Sequence, residues 1–124
     1  MRTGCAELVV DACTSRECSK ALRDAARRAG ARLVEAPAWA REPPIHLTLV
    51  LDAVGGDTPP DAILVVVDAP VVDADLARRE VGLVKILDAG GCTAEELEES
   101  IRSVSCRGGV APCPVDAGLG WLQV

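Results

Sequence analysis

The sequence predicts a mainly parallel α/β sandwich, and three observations carry that prediction. Short runs of Val, Leu and Ile recur along the chain, and several stop at an aspartate: Ala6–Val10 at Asp11, Ile45–Leu51 at Asp52 and Ala62–Val67 at Asp68. Runs rich in β-branched residues and leucine suit strands covered on both faces of a parallel sheet. Between them lie stretches with helical periodicity and capping signals, and alternation of the two types is the pattern of an α/β domain. Finally, apolar residues make up 49% of the 124 residues, yet Trp39 and Trp121 are the only aromatic ones. The core is therefore expected to be aliphatic, as in a sheet flanked by small-faced helices.

The elements follow in order. After the first strand, Thr14 and Glu17 read as a T-x-x-E capping box. Cys18, Ala21, Leu22, Ala25, Ala26 and Ala29 then recur at helical spacing, and Gly30 supplies the stop. Arg16, Lys20, Arg23, Arg27 and Arg28 form the solvated face of that helix. Arg32–Glu35 is a short second strand. Three prolines between Ala36 and Pro44 exclude a full helix there and leave one turn pinned by Trp39.

Ile45–Leu51 is expected as the third and central strand, placing Asp52 at its carboxyl end, where ligands of open α/β sheets collect. Nine residues separate Asp52 from Ala62, which is short for a parallel crossover. An irregular crossover and an antiparallel pair both remain open at this point, and the parallel arrangement is preferred. Asp73 caps a two-turn helix over Ala74–Val81, closed by Gly82. Leu83–Leu87 is the last strand. Thr93 and Glu96 form a second capping box opening a helix to about Cys106, with Gly108 and Gly109 beyond it. Its early glutamates suit the helix dipole.

Several function classes are excluded. The net charge of −6 gives no counterion-release affinity for DNA, and the lack of aromatics removes a base-stacking surface. No direct nucleic-acid contact is expected, nor any membrane contact, because the longest apolar run ends at Asp68. The amino terminus has no apolar stretch of signal-peptide length, so the chain is expected to be cytoplasmic. Six cysteines (Cys5, Cys13, Cys18, Cys92, Cys106 and Cys113) are then expected as reduced thiols serving as small hydrophobes. Cys106 and Cys113 match no zinc spacing and His46 is the lone histidine, so neither a metal nor another cofactor is expected. No phosphate-binding glycine signature or nucleophile elbow is present.

The order of elements, with G-L-V-K-I-L-D-A, T-A-E-E-L-E-E-S-I-R-S-V and R-G-G-V-A-P-C-P in the second half and L-V-V-D-A at Leu8–Ala12, resembles the receiver domain of NarL/LuxR-class response regulators. That resemblance implies a flavodoxin-like, five-stranded sheet with helices on both faces, the second and third helices shortened or missing. It implies a receiver-like domain over 1–112 and a tail or linker over 113–124.

It also puts Asp52 in the phosphoacceptor position, with Asp11 and Asp68 in a vestigial acidic pocket. The second metal ligand is replaced by Ala12, the hydroxyl position reads Asp68–Ala69, and Lys85 falls short of the lysine position. An aspartyl phosphate adds nearly two negative charges that a cation and a lysine must neutralise. Phosphorylation is therefore not expected, and the chain resembles an atypical, or pseudo-, receiver.

The expected function is that of a non-enzymatic regulatory domain in transcription control, a piece of a longer regulator. By resemblance, it acts through a protein partner or as a homodimer joined by its last two helices and last strand. The competing classes are a small cysteine-dependent enzyme, phosphocysteine or redox, and a domain sensing a small molecule near Asp11 and Asp52. For the cysteine class, Cys13 and Cys18 are the reactive-thiol candidates, since Cys13 precedes a helix N-terminus that lowers a thiol pKa.

Overall fold

The computed structural model describes residues 8–54, 62–76, 83–104, 112–113 and 115. In chain order these give β1 (Leu8–Asp11), α1 (Arg16–Ala29), β2 (Leu33–Glu35), a 3-10 turn (Ala38–Ala40), β3 (Ile45–His46), α2 (Leu47–Val54), β4 (Ala62–Val67), β5 (Val71–Val72), β6 (Leu83–Asp88) and α3 (Ala94–Arg102). Four strands make the main sheet in the order β2-β1-β4-β6, with every neighbouring pair parallel. β3 and β5 form a separate two-stranded parallel pair. The mainly parallel α/β class read from the sequence is the class found.

The period of two along each strand sorts its side chains between two cores. Val9, Leu64, Val66 and Leu87 pack with Leu22, Ala25 and Ala26 of α1 and with Leu97 and Ile101 of α3. Leu8, Val10, Ile63, Val65, Val67, Val84 and Ile86 pack instead with Ala40, Ile45, Val71 and the α2 residues Leu47, Val50 and Leu51. All these positions are buried and aliphatic, as the composition required.

The third strand is the main correction. Only Ile45 and His46 are extended, and the residues expected to continue the strand form α2. Leu47, Val50, Leu51 and Val54 stand at i, i+3, i+4 and i+7, and the first three are buried. The same apolar run thus satisfies a helical period as well as a strand. Asp73, 25 residues from Thr48 in sequence, favours the helix. Its carboxylate accepts from the Thr48 N–H (3.3 Å) and the Thr48 hydroxyl (2.6 Å), satisfying the first turn of α2. The main sheet therefore has four strands among the described residues, not five, and Asp52 lies on an exposed helix surface rather than at a strand end. The problem of the nine-residue crossover disappears with it. β4 pairs with β1, and α2 lies on the connection from β2 to β4.

Smaller differences accompany this one. The N-cap of α1 is Ser15 rather than Thr14: its hydroxyl accepts from the Cys18 N–H while donating to Asp68, and the Thr14 hydroxyl donates to Asp68 as well. Gly30 does end α1, with φ of 69° in the left-handed region. The turn at 38–40 forms as expected, but Trp39 is exposed, and the buried residue of the turn is Ala40. The Thr93–Glu96 capping box is present with both reciprocal hydrogen bonds. α3 is followed by helical backbone over 103–104, and the expected continuation to Cys106 lies outside the described residues. Helical backbone follows Asp73 over 74–76. Residues 77–82 of that expected helix, Gly108, Gly109, Cys5, Cys106 and most of the tail lie outside the described residues. Among the described residues no helix is long and apolar enough to cross a membrane.

Candidate functional site at the carboxyl ends of β1 and β4

Adjacent parallel strands end together, so β1 and β4 bring Asp11 and Asp68 to the same end of the sheet. The chain leaves β1 toward β2 on one side, while β4 lies on the other. Such a reversal of strand order is where clefts form in open α/β sheets. The loop 12–15 fills this position and leads directly into α1.

Asp68 is held from that loop. Its Oδ1 accepts from the Thr14 N–H and the Thr14 hydroxyl, each at 2.7 Å. Its Oδ2 accepts from the Ser15 N–H (3.2 Å) and the Ser15 hydroxyl (2.9 Å). Partial burial pushes the carboxyl upward, and the four hydrogen bonds outweigh it, so its pKa falls below the ordinary carboxylate value. The side chain fastens the end of β4 to the start of α1.

Asp11 is fully buried. Its Oδ1 accepts from the Cys13 N–H (3.0 Å) and the Ser19 hydroxyl (3.2 Å), while Oδ2 has no hydrogen-bond partner among the described residues. A counter-charge comes from Arg41, whose Nη1 stands 3.6 Å from Asp11 Oδ1. Arg41 is oriented by donating from Nε to the Ala36 carbonyl (2.6 Å) and from Nη1 to Ser19 Oγ (3.1 Å). Sequence reasoning did not single out Arg41 or Ser19. Ser19 had a readable signal, a polar residue one position from the apolar stripe of α1, whereas Arg41 lies in a proline-rich stretch without periodicity.

Cys13 and Cys18 are joined in a disulfide with Cα atoms 5.8 Å apart, and Cys92 is joined to Cys113 at 6.6 Å. Both spacings fall in the disulfide range. The expectation of reduced thiols is corrected for these four residues. The first bridge ties the exit of β1 to the first turn of α1, with Cys13 buried and Cys18 half-buried. Beside it opens a cleft of about 760 Å³ lined by Cys13, Arg16, Ser19, Lys20, Glu35 and Arg41. On the other side, a smaller cleft of about 260 Å³ lies between Cys18, Asp68 and Cys92.

Thus Asp11, Asp68, Cys13 and Cys18 come together, and Asp52 does not join them. With Asp68 saturated by hydrogen bonds and Asp11 sealed under the loop, neither carboxylate presents an open pair of oxygens for a cation. His46 lies outside this site, exposed, with Nδ1 3.8 Å from Asp73 Oδ2. Comparison with known protein families, with curated proteins and with solved structures finds no match.

Proposed function

We propose that the chain is a non-enzymatic regulatory domain of flavodoxin-like, receiver-type arrangement whose responsive element is the Cys13–Cys18 disulfide. It works without phosphoryl transfer, through a protein partner or a second copy, in a cytoplasmic transcription regulator. One observation carries the reading: the disulfide closes the same short loop whose Thr14 and Ser15 hold Asp68. Reducing the bridge frees Cys13 and Cys18, loosens that loop, and so alters the junction of β1, α1 and β4. The parallel order β2-β1-β4-β6 supports the fold reading.

In a reducing compartment a disulfide is typically transient and redox-sensing. The α1 N-terminus favours a thiolate at this position, which makes the reduced form accessible. The apolar side of α3 packs on α1 within the chain. Exposed large apolar side chains include Trp39 on the 3-10 turn and Leu49 on α2.

The test is to equilibrate the chain with glutathione redox buffers, map Cys13 and Cys18 by alkylation, and follow amide exchange. Cys13–Cys18 is expected to titrate between the two states, with faster exchange at Thr14 and Ser15 when reduced. Exchange that is identical in both states overturns the switch.

A second reading, sensing of a small anionic molecule, is favoured by the cleft beside Cys13. Arg16, Lys20, Arg23 and Arg41 line it against Glu35 and Glu42. Thermal shift against a panel of small carboxylates and phosphates separates it from the first.

A further inference from the structure

The second disulfide offers chemistry independent of the first. Cys92, Glu96 and Cys113 place one donor atom each within 4.8 Å of one another. The three come from positions that the fold fixes separately. Cys92 directly precedes the N-cap Thr93, held by its N–H donating to the Ala89 carbonyl at 3.0 Å. Glu96 follows four residues later, and its Oε1 accepts from the Thr93 N–H at 2.9 Å. Cys113 is buried, and its N–H donates to the Ser100 hydroxyl at 3.2 Å.

We propose that, when Cys92–Cys113 is reduced, Cys92, Glu96 and Cys113 bind a thiophilic divalent cation such as Zn²⁺. Two thiolates and a carboxylate bring three negative charges into one small volume, and a dication offsets two of them. Sulfur donors select Zn²⁺ over Mg²⁺ or Ca²⁺, which prefer oxygen. The Cα atoms of Cys92 and Cys113 stand 6.6 Å apart, at the wide end of the span for a disulfide, so the sulfurs can separate around a cation without backbone movement. Three protein donors leave one tetrahedral position to solvent.

The steps balance. A dithiol reductant gives two electrons and two protons to the S–S bond and becomes a disulfide, leaving two thiols. Cation binding then releases the two thiol protons to water. Oxidation of the pair by a disulfide reverses both steps and expels the cation. The disulfide and the metal site are thus alternative states of the same two sulfurs.

The experiment uses the reduced 124-residue chain with Co²⁺ as a spectroscopic probe and Zn²⁺ as competitor. One equivalent of Co²⁺ is expected to give thiolate-to-metal charge-transfer absorption, abolished by Zn²⁺, by oxidation of the chain and by Cys113→Ser. Glu96→Gln keeps both sulfurs and a capping-box residue; loss of even an outer-shell partner costs about tenfold or more in metal affinity, so loss of this carboxylate ligand should weaken binding by at least about tenfold. The double variant Cys13→Ser/Cys18→Ser should bind as the unaltered chain does, which separates this site from the proposed switch. No absorption with the reduced chain overturns the proposal, as does absorption that survives Cys113→Ser. Unchanged affinity in Glu96→Gln, or loss of binding with Cys13 and Cys18, overturns it as well.

Discussion

Thr14 donates twice to one oxygen of Asp68, through its backbone N–H and its hydroxyl, both at 2.7 Å across 54 residues of sequence. The carboxylate is thereby a structural clamp between β4 and α1. Asp68→Ala removes it and leaves the donors of the loop to water, so a loss of about 2 kcal/mol is expected, measured by urea denaturation.

The same clamp sets an acid dependence. Because the folded Asp68 pKa lies below its ordinary value of 3.8, its contribution is complete above that pH. It is lost as the pH falls through the lowered folded pKa. Asp68→Asn should therefore flatten the acid limb of the stability curve below about pH 4. An acid limb identical to that of the unaltered chain would show that Asp68 is not the group responsible.

The helical phase of α2 makes neighbouring leucines unequal. Leu47 is fully buried and Leu49 is 42% exposed. Leu47→Ala should cost about 3 kcal/mol, while Leu49→Gln should change stability by about 0.5 kcal/mol or less. Asp52→Asn, on the exposed side of the same helix, should be as silent as Leu49→Gln. Incubation with acetyl phosphate and Mg²⁺ should leave no hydroxylamine-labile phosphate on Asp52. Equal costs at Leu47 and Leu49, which a strand would give, contradict the helix.

The two disulfides among the described residues close loops of different length, since their partners are 5 and 21 residues apart. Chain-entropy reasoning gives about 2 kcal/mol for the first and about 3.4 kcal/mol for the second. Denaturation midpoints should accordingly fall further for Cys92→Ser/Cys113→Ser than for Cys13→Ser/Cys18→Ser. The shorter loop is the cheaper one to open, consistent with its proposed role as the switch.

What could be read from the sequence was mostly short in range. The Thr93–Glu96 box, the Gly30 stop and the strands at Leu8, Leu33, Ala62 and Leu83 depend on residues within a few positions, and each forms. Asp11 and Asp68 were placed correctly at strand ends, but the roles of both depend on partners brought in by the fold. Thr14 reaches Asp68 from another element, and Arg41 reaches Asp11 from a stretch without pattern. The misreading of Ile45–Asp52 has a different origin. Leu47, Leu49 and Leu51 alternate like a strand, while Leu47, Val50, Leu51 and Val54 repeat like a helix. Nothing inside the run chooses between them. Asp73, twenty-five residues from Thr48, makes the choice. The pairing of Cys92 with Cys113 likewise follows from where α3 carries the chain, not from spacing.

Parallel sheets have two open edges, and here each is blunted. β2, at one edge, is only three residues long and half-exposed to exposed throughout. β6, at the other, meets Val115 in an antiparallel bridge at Leu87, so the returning chain occupies part of the rim. An edge that is short or already paired offers little template to a neighbouring molecule. The domain should therefore resist strand-to-strand aggregation at its sheet rims, and self-association through its surface would have to use side chains rather than backbone.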